Sequence, residues 1–118
     1  MTRRAIDPKA LARLEEWGGS KLVGQMIHLF LSTTPERMLQ IRKGLEVGDI
    51  LEVERGAHSL KSSAANLGAE RLRELASDLE ERAHRGDLRG AEELLPDLET
   101  AHSSAARILE TLAERPAP

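Results

Sequence analysis

The stretch Ala57-His58-Ser59-Leu60-Lys61 holds two side chains suited to group transfer. A neutral imidazole nitrogen is a good nucleophile at cellular pH, and histidine titrates in that range, so His58 is equipped to take up a phosphoryl group and release it again. Lys61 follows three residues later, one helical turn on, where its ammonium can stand near a negative group attached to the ring. Ser62 and Ala65 are small and keep the surface beyond His58 low, open to another protein's active site. Phosphoryl transfer depends chiefly on alignment and charge stabilisation, and Lys61 supplies the second from this side. The sequence has no G-x-x-x-x-G-K-[ST] loop and no acidic cluster suited to Mg²⁺, so the chain is expected neither to bind ATP nor to phosphorylate itself.

These residues must be positioned by helices. Ala, Leu, Glu and Arg dominate, β-branched and aromatic residues are sparse, and no alternating strand pattern stands out. Asp7-Pro8 can cap a short helix that Gly18-Gly19 stops near Trp17. A second helix starts near Ser20, with an apolar stripe of Leu22, Val23, Met26, Ile27 and Phe30 extended by Met38, Ile41 and Leu45 to Gly48. Thr33-Thr34-Pro35-Glu36 has capping-box spacing, so this helix is expected to break or kink there. Asp49 opens a helix through about Leu67 that Gly68 terminates, and another follows from Glu70 to about Arg85. The last shows apolar positions at Ala91, Leu94, Leu98, Ala101, Ala105, Ile108 and Leu112, with Pro96 bending it near its start.

Short connections between long amphipathic helices favour antiparallel neighbours. The expected fold is all-α: an antiparallel up-down four-helix bundle over about residues 20–113 with a short N-terminal lid helix, the whole of 1–118 forming a single domain. On the helix from Asp49 to Leu67, Val53, Ala57, Leu60, Ala64 and Leu67 fall on one arc, the core. The neighbouring arc carries Leu51, Glu54, His58, Lys61, Ser62 and Ala65, so His58 is expected beside the core with its ring open to solvent, and Leu51 can contact a partner.

Composition removes other function classes. A net charge of -3 and only two aromatic residues, Trp17 and Phe30, argue against nucleic-acid binding. The absence of cysteine excludes disulfides and thiolate chemistry, and no apolar stretch approaches a membrane span, which makes the cytoplasm the default location. His28, His84 and His102 form no close pair with one another or with His58 and read as surface residues, so a metal site is not expected. Taken alone, Glu80 and Glu81 read as a solvated face.

Positions 57–69, AHSLKSSAANLGA, resemble the signature of histidine phosphotransfer (HPt) domains, the relay modules of two-component signalling. The family pattern matches His58, Leu60, Lys61, a small residue at Ser62 where the family often has Gly, and Gly68-Ala69; the apolar spacing from Leu22 to Leu112 extends the similarity over most of the chain. The resemblance implies a four-helix bundle, no cofactor of its own, and Mg²⁺ held by the partner receiver domain. It implies as partners response-regulator receiver domains, a hybrid histidine kinase, or both; nothing in the surface pattern demands a dimer, so a monomer is expected. The family commonly places a Gln on the next helix to bond the phosphorylatable ring, and the matching position is Glu80. His58 lies ten residues before Gly68 and Glu80 twelve after, so both sit roughly 15 to 18 Å from the turn and level in an antiparallel hairpin. A carboxylate accepting the Nδ1 hydrogen would make Nε2 the attacking atom, while its charge would also repel the phosphoryl group. The reading is a relay intermediate taking a phosphoryl group from a receiver phospho-Asp onto His58 and passing it to another receiver's Asp. The alternatives are a helical adaptor that is never phosphorylated and the phosphoacceptor module of a larger hybrid or chemotaxis-type kinase.

Overall fold

A computed structural model describes residues 5–114, which fold into four helices: α1 (Pro8–Val47), α2 (Ile50–Asn66), α3 (Glu70–His84) and α4 (Leu88–Ala113). α1 packs on α2 and α4, α2 on α3, and α3 on α4, closing a ring around one core. The helix ends are found where local chemistry puts them. Asp7, Asp49 and Asp87 each accept a backbone N–H in the first turn of α1, α2 and α4. Gly48 closes α1 in the left-handed region at φ 73°, its N–H reaching back to the Gly44 carbonyl. Among the described residues, no helix is long and apolar enough to cross a membrane.

The N-terminal helix and the first bundle helix form one element bent at Gly19, whose φ of 68° and ψ of -168° interrupt the helix where Gly18-Gly19 predicts a stop. The arm before the bend buries Ala10 and Leu14, with Ile6 just ahead of it, and covers the α2–α3 turn. The Asp7 N–H donates to the Gly68 carbonyl at 2.7 Å. Gly68 is required twice over: its φ is +70°, and a Cβ there would stand 2.7 Å from Ala10 Cβ and 2.9 Å from the Asp7 carbonyl oxygen.

Three sequence expectations need correction. α1 continues through Thr33-Thr34-Pro35-Glu36 with helical dihedrals, so the break and restart do not occur. Proline removes only the one N–H that would reach the Leu31 carbonyl, and Thr34, fully buried against the bundle with its hydroxyl donating to the Phe30 carbonyl, belongs to the helix interior and not to a helix start. On α4, Leu109 takes the core position given to Ile108, which is 40% exposed. An α-helix turns once in about 3.6 residues, so a stripe read at 98 and 105 reaches the core again at 109. His102 is not a surface residue: it is half-buried, with Nε2 2.7 Å from Thr34 Oγ1 and its ring stacked at a tilt on Phe30.

Candidate functional site

α2 carries its core arc as the sequence predicts: Val53, Ala57, Leu60 and Ala64 are fully buried, and Leu67, the residue that caps the helix, is almost so. His58 therefore stands one position off the core, with its side chain 63% exposed. Two glycines let α1 approach this stretch closely. A Cβ on Gly56 would lie 2.9 Å from Ile41 Cγ1, and one on Gly44 would lie 2.8 Å from Val53 Cγ2. α3 approaches from the other side through Leu72, Leu75, Ala76, Leu79 and Ala83, all buried. That packing leaves Glu80, next to Leu79, at the α2–α3 seam level with His58.

The Glu80 carboxylate bridges both predicted chemical groups. His58 Nδ1 lies 2.6 Å from Oε2, and Lys61 Nζ donates to Oε1 at 2.5 Å. Burial opposes ionisation of Glu80, but the hydrogen bonds from Lys61 and His58, with their charges, outweigh it and hold the carboxyl below its ordinary range. A carboxylate can only accept, so in the neutral ring the hydrogen sits on Nδ1 and the lone pair on Nε2. Among the described residues Nε2 has no protein partner. The Lys61 ammonium bonds the Glu80 oxygen that the ring does not contact, and two of its three hydrogens remain to donate elsewhere. Glu80 is thus neither a solvated surface acid nor an isolated negative charge beside the imidazole.

A groove of about 540 Å³ opens beside His58, lined by Leu51, Glu54, Arg55, Ser59 and Glu80, with Arg37 and Gln40 from α1. Of the residues assigned to docking from sequence, Leu51, which is 53% exposed, and Glu54 line this groove. Ser62 and Ala65 are exposed further along α2 and do not line it. Arg37 and Gln40 were not legible as site residues. They belong to a helix whose polar side carries no motif, and only the small residues Gly44 and Gly56 hint that α1 comes close enough to contribute. Gln40 is held in place, donating to Glu52 at 2.9 Å and accepting from Arg37 at 3.2 Å. No group of histidines and acids suited to a metal ion is present among the described residues.

A four-helix bundle with one exposed, carboxylate-oriented histidine near the middle of α2 is the arrangement of a phosphotransfer module, and comparison with known families agrees. The family model described as the Hpt domain matches residues 25–114, and the chain belongs to that family, the histidine phosphotransfer modules of two-component phosphorelays. Among solved structures, the chain is similar to the histidine-containing phosphotransfer protein B (HptB) of Pseudomonas aeruginosa PAO1. The TM-score is 0.90 at 26% identity, over 98% of this chain and 100% of that one. No curated protein matches it.

Proposed function

We propose that the chain is a single phosphotransfer module that works as a cytoplasmic monomer, taking a phosphoryl group from a receiver-domain phospho-Asp onto His58 and returning it to the Asp of another receiver. The observation that carries this reading is the Nδ1 contact with Glu80, which leaves the lone pair on an exposed, unpartnered Nε2. In the transfer, Nε2 attacks phosphorus, the N–P bond forms as the acyl phosphate P–O bond breaks, and the Asp carboxylate leaves with the bonding pair. The Nδ1 proton stays between the ring and Glu80, which stabilises the positive charge that develops on the imidazole. Lys61 offers its remaining hydrogens to the incoming phosphoryl oxygens and offsets the Glu80 charge that would repel them.

The chain brings no ATP site and no cofactor in this reading; Mg²⁺ belongs to the receiver, which also supplies the acidic cluster that holds it. Leu51 and Glu54, on the groove wall, and Ser62 and Ala65, further along α2, form the surface that meets the receiver. Incubation with a phosphorylated receiver should yield a base-stable, acid-labile phosphoprotein. Labelling should vanish in His58→Gln, and labelling from the receiver that survives that substitution would remove the proposal.

A further inference from the structure

The four histidines fall into three chemical environments. His28 is exposed and its ring has no polar partner among the described residues. His102 is half-buried with Nε2 committed to Thr34. His58 and His84 share the third: each ring is mostly exposed, at 63% and 76%, and each presents Nδ1 to a carboxylate from the facing helix. The second pair is the first with its helices exchanged. His58 on α2 meets Glu80 on α3 at 2.6 Å, and one turn along the same seam Glu54 on α2 meets His84 on α3 at 2.9 Å. The hydrogen is again fixed on Nδ1, and Nε2 again holds a lone pair and has no protein partner.

The two sites differ in charge. The cations nearest His84 in sequence are already engaged, Arg85 with Glu81 at 2.5 Å and Arg82 with Asp87 at 3.5 Å. His84 thus has the oriented nucleophile without an ammonium like Lys61 to receive a phosphoryl group from a macromolecular donor.

We infer that His84 is a second phosphoryl-accepting residue, reactive toward small phosphoryl donors of the phosphoramidate class. This goes beyond the relay reading and stands without it. His84 Nε2 attacks the phosphorus of phosphoramidate, the new N–P bond forms as the P–N bond to the donor breaks, and ammonia leaves with that bonding pair. The ring then carries a positive charge that the Glu54 carboxylate stabilises through Nδ1, and ammonia takes its proton from water. The product is a phosphohistidine one turn along the seam from His58, where its negative charge would oppose docking of a phosphorylated receiver.

The test is a time course of the full chain with potassium phosphoramidate at neutral pH, read by site-resolved mass spectrometry under basic conditions, with His28 as the internal reference. His84 should be labelled more slowly than His58 and about fivefold faster than His28. It should remain labelled in His58→Gln, and Glu54→Gln should bring it down to the His28 rate. Labelling of His84 within about twofold of His28, loss of His84 labelling in His58→Gln, or an unchanged His84 rate in Glu54→Gln would each overturn the inference.

Discussion

Replacing Glu80 by Gln changes almost no volume and removes one charge, which makes it the sharpest probe of how His58 is prepared. Glu80 accepts from two donors, His58 Nδ1 and Lys61 Nζ. An amide has one accepting oxygen and a donating nitrogen, so the introduced side chain can satisfy one of them only by turning its NH₂ toward the other. Either His58 loses its tautomer lock or Lys61 is released. His58 is 63% exposed and water replaces much of what is lost, so the penalty belongs near the upper end for surface pairs, about 1 kcal/mol, and not with buried charge pairs. About 1 kcal/mol in the attacking geometry corresponds to about a fivefold slower transfer. The assay is single-turnover phosphoryl transfer from a saturating phosphorylated receiver, paired with ¹⁵N spectra of the imidazole. In the native chain the neutral ring should show protonated Nδ1 and bare Nε2; in Glu80→Gln it should show a mixture. Transfer at the native rate or faster, with the tautomer unchanged, would refute the reasoning and show that Glu80 acts mainly by repelling the phosphoryl group.

Other outcomes follow from the same contacts. The folded-state pKa of Glu80 lies below its ordinary value of 4.5, so its contribution to stability is present above that pH and is lost as pH falls through the folded value. Acid unfolding of Glu80→Gln should lack this part of the profile. His102 is lowered from 6.5 by burial and by the nearby Arg42 charge, so the unfolded chain binds that proton first and stability falls as pH drops below about 6.5. Urea melts of His102→Gln at about pH 7.5 and about pH 5.5 should differ less than those of the native chain. Gly56→Ala puts a methyl 2.9 Å from Ile41 Cγ1 and should cost about 1–2 kcal/mol by chemical denaturation, the steric strain exceeding the gain in helix propensity. Thr34→Val removes a hydroxyl that accepts from His102 Nε2 and donates to Phe30 O, and should cost about 1–2 kcal/mol in the same measurement.

Much of the bundle is readable because its signals are local. Asp49 with Glu52, and Asp87 with Gly90, lie within one turn of the bonds they make, and Gly48 and Gly68 mark positive-φ positions that other residues avoid. The pairing of His58 with Glu80 was reachable although the residues lie on different helices, because two helices leaving one tight turn keep their registers level. What escaped the sequence depends on contacts between distant segments. Thr34 looks like a helix start until α4 brings His102 to its hydroxyl, and Arg37 and Gln40 enter the groove only because Gly44 and Gly56 let α1 close on α2. Ile108 and Leu109 were exchanged because a seven-residue rhythm drifts by one position over the length of α4.

The site divides its work between what one helix can encode and what only the hairpin supplies. α2 by itself provides exposure for His58 and places Lys61 one turn on, the features that make the motif recognisable. It does not determine which ring nitrogen reacts, because an isolated imidazole exchanges its tautomers freely. In the proposed transfer Glu80 makes that choice from α3 by accepting from Nδ1, and its acid group bonds Lys61 as well, so that Lys61 belongs to the same network and is not a separate charge. A substitution at Lys61 should therefore act on His58 in two ways. Lys61→Ala removes a donor to the phosphoryl oxygens and also leaves the Glu80 charge facing the ring uncompensated. If the network operates as one unit, the losses in transfer rate from Lys61→Ala and Glu80→Gln will not add in the double variant, since removing the carboxylate charge also removes the repulsion that Lys61 was offsetting. Strict additivity would mean that the two residues act on transfer independently despite their 2.5 Å contact.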